Sequence, residues 1–245
     1  MQLCNISLCN KHSYLVDRAF WGKESEKART QELMLAVLSG FFKFCLDEDY
    51  IQRTLTKTRW RPKIPQSLPK FLNEHELAQV RIQAEKMSLQ DRSLISFLLS
   101  SGCRRSESVG LDLGDLDIEE RTARVMGKGK RPREVHFSEE TAFLLKDHLT
   151  NRTDPHLPLF ISKFKKRMGT QGVYLICRKL GLKSGLPQNL SPHMCRHTFA
   201  TNLIARGSEL EFIGGELGHK DLNVTKIYAK IPSEQLMREY NKRME

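Results

Sequence analysis

The chain has 245 residues, 39% of them hydrophobic and 28% charged, which is enough apolar material for one large domain or two smaller ones. No run approaches the roughly 18–20 consecutive apolar residues that a membrane-spanning helix needs, which excludes such a span. Forty basic against 29 acidic residues leave a net charge of +11, a balance that favours polyanions as partners, nucleic acid first among them.

In chain order, Met1-Gln2-Leu3-Cys4-Asn5 lacks the basic region and apolar run of an export signal, so the protein is expected to stay in the cytoplasm. The six cysteines (Cys4, Cys9, Cys45, Cys103, Cys177, Cys195) include no Cys-x-x-Cys pair and read as reduced, buried thiols rather than a zinc site or a disulfide framework. Ala28 to Leu46 is rich in helix formers, with Leu33, Val37, Phe41 and Phe44 on one face. Pro62, Pro65 and Pro69, interleaved with Arg61, Lys63 and Lys70, disfavour helix and suit a basic linker lying along phosphates. The expected division is thus a short helical DNA-binding unit over residues 1–65, a linker to about 70, and a second domain over 71–245. Residues 1–65 hold 11 basic and 7 acidic side chains, a net +4, and residues 66–245 hold 29 and 22, a net +7. Both parts are basic, as suits a protein that touches its partner from two sides.

Beyond the linker, Asn73 with Glu76 three residues on predicts a capped helix, and Leu89–Ser101 predicts a buried one stopped by Gly102. Arg104 follows that stop, at the start of another helical run. Residues 121–125 and 133–137 alternate as strands, joined by the turn Gly127-Lys128-Gly129-Lys130-Arg131-Pro132. A hairpin bearing Lys128, Lys130, Arg131 and Arg133 is suited to reach into a DNA groove. It is no Walker loop, which would join a strand to a helix and carry a different spacing. Helices are predicted over 138–149, 171–180, 193–206, 209–217, 221–228 and 233–242. The expected fold class is mainly α with a small antiparallel β-sheet.

The densest chemistry lies in Ser191-Pro192-His193-Met194-Cys195-Arg196-His197. Residues three apart on a helix share a face, so the imidazole of His193 and the guanidinium of Arg196 can converge on one anion. Pro192 suits a first turn, whose free N–H groups also favour negative charge. His193 and His197, four apart, have the spacing of a zinc helix, but residue 194 is Met rather than the activating glutamate and no third ligand is near. No metal and no cofactor is therefore expected.

Together with Ser101-Gly102-Cys103-Arg104-Arg105-Ser106-Glu107, Gly127-Lys128-Gly129-Lys130, Leu217-Gly218-His219 and Ile227-Tyr228, this text resembles the tyrosine recombinase (phage integrase) family, in particular its Xer-like branch. The resemblance is strong from about Leu68 to Ala229 and weaker from Ala28 to Trp60. It implies a two-domain DNA clamp whose catalytic domain has the DNA breaking–rejoining fold. It also implies site-specific recombination of double-stranded DNA through a 3′-phosphotyrosyl enzyme and a Holliday junction.

Carried over by the same resemblance, Arg104 and Arg196 grip the scissile phosphate and Tyr228 is the nucleophile. Lys128 protonates the departing 5′-oxygen, His193 assists proton transfer at the tyrosine, and His219 donates to a phosphate oxygen. Glu107, one turn after Arg104, either orients it or faces solvent. Lys130, Arg131, Arg133, Arg61 and Lys63 are expected on DNA. Tyr240 competes with Tyr228 but belongs to a terminal helix read as a packing element. The resemblance further implies a homotetramer on two paired sites, with a paralogous recombinase or accessory protein as a conceivable companion, acting in the cytoplasm on the nucleoid.

Several features depart from the family pattern. The first helices of the N-terminal domain look truncated or replaced by Met1–Lys27, and Cys195 stands where a larger apolar residue is usual, either a buried filler or a redox group. Gly214-Gly215 weakens a helix. A type IB topoisomerase-like nicking-closing enzyme, a telomere resolvase and a catalytically inactive DNA-binding regulator are the alternatives.

Overall fold

The structure, a computed structural model, describes residues 28–62, 69–127, 129, 131–152, 157–218 and Thr225. The chain divides into two compact units, Met1–Ser67 and Leu68–Glu245.

The described part of the first unit is built on one long helix, α1 (Ala28–Asp47), followed by a 3-10 turn at Thr58–Trp60. Asp49 adopts a left-handed conformation (φ 58°) that ends the helix, and the N–H of Tyr50 donates to the Cys45 carbonyl (2.8 Å). The Ser39 hydroxyl donates to that of Thr56 (3.2 Å), holding the returning segment along the helix. Leu35 and Cys45 are the buried apolar residues of α1. Leu33, Val37, Phe41 and Phe44 do share a face, but it lies open: Leu33 is 66% and Phe41 57% exposed. A helical period fixes which side chains stand together, not what covers them.

In the second unit, α2 (Glu74–Ala84) starts with the reciprocal cap legible in the sequence. The Glu76 N–H donates to the Asn73 side chain (2.9 Å) and the Asn73 N–H to the Glu76 carboxylate (3.0 Å). Helix α3 (Leu89–Ser101) is capped by Ser88 and closed by Gly102 at φ +59°, a left-handed position that favours glycine. A short helix α4 (Arg105–Gly110) and a 3-10 turn (Leu113–Asp115) lead to three antiparallel strands in sheet order β1 (Leu116–Asp117), β2 (Thr122–Met126), β3 (Pro132–His136). Among the described residues four helices follow: α5 (Glu139–Thr150), α6 (Thr170–Lys183), α7 (Pro192–Ala205) and α8 (Leu210–Leu217). The predicted helices over 221–228 and 233–242 fall outside the described residues.

The fold is thus mainly helical with a small antiparallel sheet. Helix α3 packs against α5 and α7, and its Leu94, Ile95, Phe97 and Leu98 are sealed from solvent. Each such side chain stabilises the fold by about 1.5–3 kcal/mol before entropy is counted. Thr198 on α7 accepts from the Leu72 N–H (2.9 Å) and donates to the Met194 carbonyl (2.9 Å), tying α7 to the segment before α2. In the sheet, Thr122 faces His136 and Val125 faces Arg133, so Ala123, Val125 and Val135 point into the core. The two alternating strands begin and end one residue away from their predicted limits. Strand β1 begins at Leu116, where the sequence pattern turns to short strands, although two residues carry no alternation to read. Among the described residues, no helix is long and apolar enough to cross a membrane.

Candidate active site

Two glycines open the site. At Gly102 the carbonyl accepts from Nη1 of Arg196 (2.8 Å), and a Cβ would lie 2.3 Å from Cδ1 of Phe199, so that ring lies directly against the glycine. Arg104 follows as the N-cap residue of α4. At the last described helix of the unit, α8 closes at Gly218, left-handed at φ +62°, whose N–H donates to the carbonyls of Gly214 and Gly215 and leaves those of Glu216, Leu217 and Gly218 without a helical partner among the described residues.

Three arginines from three different elements fill that vacancy. Arg133, on β3, donates through Nη1 to the carbonyl of Glu216. Arg196, on α7, donates through Nη2 to that of Leu217 (2.6 Å), and Arg104 through Nη2 to that of Gly218 (3.3 Å). Three guanidiniums thus engage three successive carbonyls at the negative end of a helix dipole, where cations are favoured. Arg196 is only 5% exposed, on a helix whose first turn is set by Ser191 as cap and Pro192.

Glu107 holds two of these arginines. Its carboxylate accepts from Nη1 of Arg104 (2.8 Å), from the Arg104 backbone N–H (2.8 Å) and from Nη2 of Arg133 (2.8 Å). The Glu107 side chain is 1% exposed, so of the two readings the sequence left open the solvent-facing carboxylate is excluded. Burial alone would raise its pKa, but the Arg104 hydrogen bonds and the charges of Arg133 and Arg104 outweigh that and hold it below the usual carboxylate range. A buried, ionised carboxylate shared by two cations fixes both in place.

His193 is exposed on the first turn of α7. Partial desolvation and the charges of Arg105, Arg196 and Arg104 depress its pKa, so its imidazole is neutral at pH 7 and able to take up a proton. His197 is pushed down to about 4 by burial, then by His193 and Arg196. Burial raises the Cys103 thiol to about 12, and a hydrogen bond with Cys195, then burial, lifts Cys177 as well, so these two are protonated at neutral pH.

Arg104, Glu107 and Arg196, chosen from the sequence, therefore meet at one place, and His193 stands one turn before Arg196 on α7. Arg133 joins them from the set expected on DNA. The pleat puts it on the same face as Val135, and its guanidinium turns inward. Arg131 and Arg61 are exposed. Lys63, Lys128, Lys130, His219, Tyr228 and Tyr240 lie outside the described residues. Among the described residues no group of three or more His, Cys, Asp or Glu is arranged to hold a metal ion.

Known structures give the class first. The crystal structure of XerA recombinase matches 96% of this chain and 82% of its own at 26% identity with a TM-score of 0.65. That of XerH site-specific recombinase, a pre-cleavage complex with its difH substrate, shares the fold at 23% identity, covering 98% of this chain and 72% of its own with a TM-score of 0.74. The fold is that of a tyrosine recombinase. The family model described as the phage integrase family matches residues 70–234. Tyrosine recombinase XerD of Bifidobacterium longum is 32% identical over 232 residues, spanning 88% of this chain and 75% of the relative. The chain belongs to the phage integrase family, on its Xer-like side.

Proposed function

We propose that this protein is a site-specific DNA recombinase that cleaves and rejoins duplex DNA through a 3′-phosphotyrosyl intermediate on Tyr228. The observation that carries the proposal is the meeting of Arg104 and Arg196, from distant segments, on the adjacent carbonyls of Gly218 and Leu217. Two preorganised guanidiniums at one point suit the non-bridging oxygens of a single phosphate and the charge that grows on them as a fifth oxygen approaches. The nucleophile is a phenol of ordinary pKa near 10, so its activation requires these positive surroundings. Attack by the Tyr228 oxygen on phosphorus expels the 5′-oxygen, which takes a proton from Lys128. His193, neutral at rest, assists removal of the phenolic proton, and His219 donates to a phosphate oxygen. The phosphodiester energy is kept in the tyrosyl ester, and reversal by a 5′-hydroxyl of a second site rejoins the strands.

Exposed Arg61 and Arg131, with Lys63 and Lys130, supply phosphate contacts on duplex DNA. Four protomers on two paired sites, passing through a Holliday junction on DNA of the nucleoid, complete the reading. A nicked suicide substrate tests it. The wild-type chain should trap a covalent protein–DNA adduct in the presence of EDTA, and Tyr228→Phe should trap none while still binding DNA. Tight binding without an adduct from the wild-type chain would instead identify a DNA-binding regulator.

A further inference from the structure

Arg133 is the arginine of the cluster that the proposed chemistry leaves without a task. Its side chain is 15% exposed, on a strand whose neighbouring residues Pro132 and Glu134 are exposed. It reaches two segments far from it in sequence, Glu107 on α4 and the carbonyl of Glu216 on α8. Its Nε is buried with no hydrogen-bond partner among the described residues. A Cβ on Gly218 would lie 2.7 Å from that Nε and 2.8 Å from Cδ, so the guanidinium lies against the bare backbone of Gly218. The root of the hairpin stands close by: a Cβ on Gly127 would be 3.9 Å from Oε1 of Glu107.

Taking the phosphotyrosyl reading as the premise, we infer that Arg133 is a positioning residue for strand cleavage. It locks the hairpin that carries Lys128 to the end of α8, from which the chain continues directly into His219 and, ten residues past Gly218, Tyr228. Through Glu107 it also sets the angle of Arg104. Glu107 is pulled from two sides, by Nη1 of Arg104 on Oε1 and by Nη2 of Arg133 on Oε2. Without Arg133 the carboxylate is left to Arg104 alone, which draws that guanidinium away from an incoming phosphate. The Glu216 carbonyl loses its donor at the same time. A misplacement of about 1 Å costs on the order of 10²-fold in rate.

Arg133→Gln and Arg133→Lys are compared with wild type in single-turnover cleavage of a saturating nicked duplex, alongside DNA affinity as a function of salt. The wild-type chain must first give the Tyr228-dependent adduct. If it does not, the recombinase reading falls, and this inference falls with it for that separate reason. With wild type active, Arg133→Gln should cleave about 10²-fold more slowly, with affinity and salt slope unchanged. Arg133→Lys, able to keep one of the two contacts, should fall between them. Adding Glu107→Gln to Arg133→Gln should slow cleavage by less than the product of the two single effects, because both act through the same carboxylate.

Cleavage at the wild-type rate in Arg133→Gln overturns the inference. So does a loss matched by weaker binding and a salt slope shallower by about 0.9, the signature of a lost phosphate contact. Should Arg133→Gln fail to fold, Arg133→Lys decides: slower cleavage at unchanged affinity supports a positioning role, and the wild-type rate refutes it.

Discussion

Helix α1 of the N-terminal unit and helix α3 of the C-terminal unit are both rich in apolar residues, yet they bury them to opposite extents. In α1 the buried apolar side chains are Leu35 and Cys45, while Val37, Phe41 and Phe44 stand open. In α3, Leu94, Ile95, Phe97 and Leu98 are sealed between α5 and α7. The difference is one of neighbours, not of composition. Every described residue of the candidate active site belongs to the tightly packed unit. The loop bearing Arg104 follows directly on α3, and Arg196 sits on α7, which packs against it. Precision in the arginine cluster thus depends on the core of its own unit.

The largest effect that could break this contrast is on rate. Arg196→Ala should slow single-turnover cleavage by about 10²–10³, as loss of one preorganised donor does. Val37→Ser on the open face of α1 should leave that rate unchanged at saturating DNA. Equal slowing by both would mean that the units share the site. Next in size is stability. Leu98→Ala should lower the unfolding free energy by about 2–5 kcal/mol, whereas Val37→Ala should stay within about 0.5 kcal/mol. Denaturant titration followed by circular dichroism measures both.

The smallest effect is on acid response. Glu107 and His197 both have pKa values below their unfolded ones, so each binds fewer protons in the folded chain, and the folded state loses stability as pH falls. The His197 share should disappear from about pH 6.5, its unfolded pKa, downward, ending near its folded value of about 4. The Glu107 share should go at lower pH, from about 4.3 downward. Thermal melts across this range should show His197→Gln flattening the first part of the decline and Glu107→Gln the second. An unaltered curve in either variant would remove that group from the account.

Local features were legible in the sequence because their causes are local. The Asn73–Glu76 cap, the stop at Gly102 and the shared face of His193 and Arg196 each depend on residues within a turn or so of one another. The convergence on α8 was not legible, because the donors lie 21, 83 and 114 residues from their acceptors and the acceptors are backbone carbonyls, which no residue type advertises. Arg133 is an intermediate case. The alternation that put Val135 inside also put Arg133 inside, but its charge and its place beside a basic turn pointed to DNA. The sheet's pleat turned its guanidinium toward Glu107, a partner 26 residues away that the sequence did not advertise.

The contact between Phe199 and Gly102 has a consequence for how the site can vary. One methyl group added at residue 102 would act as a wedge against the aromatic ring, and the carbonyl of that residue accepts from a guanidinium 94 positions along the chain. Size at this spot is therefore an adjustable screw on the grip of Arg196, independent of electrical charge.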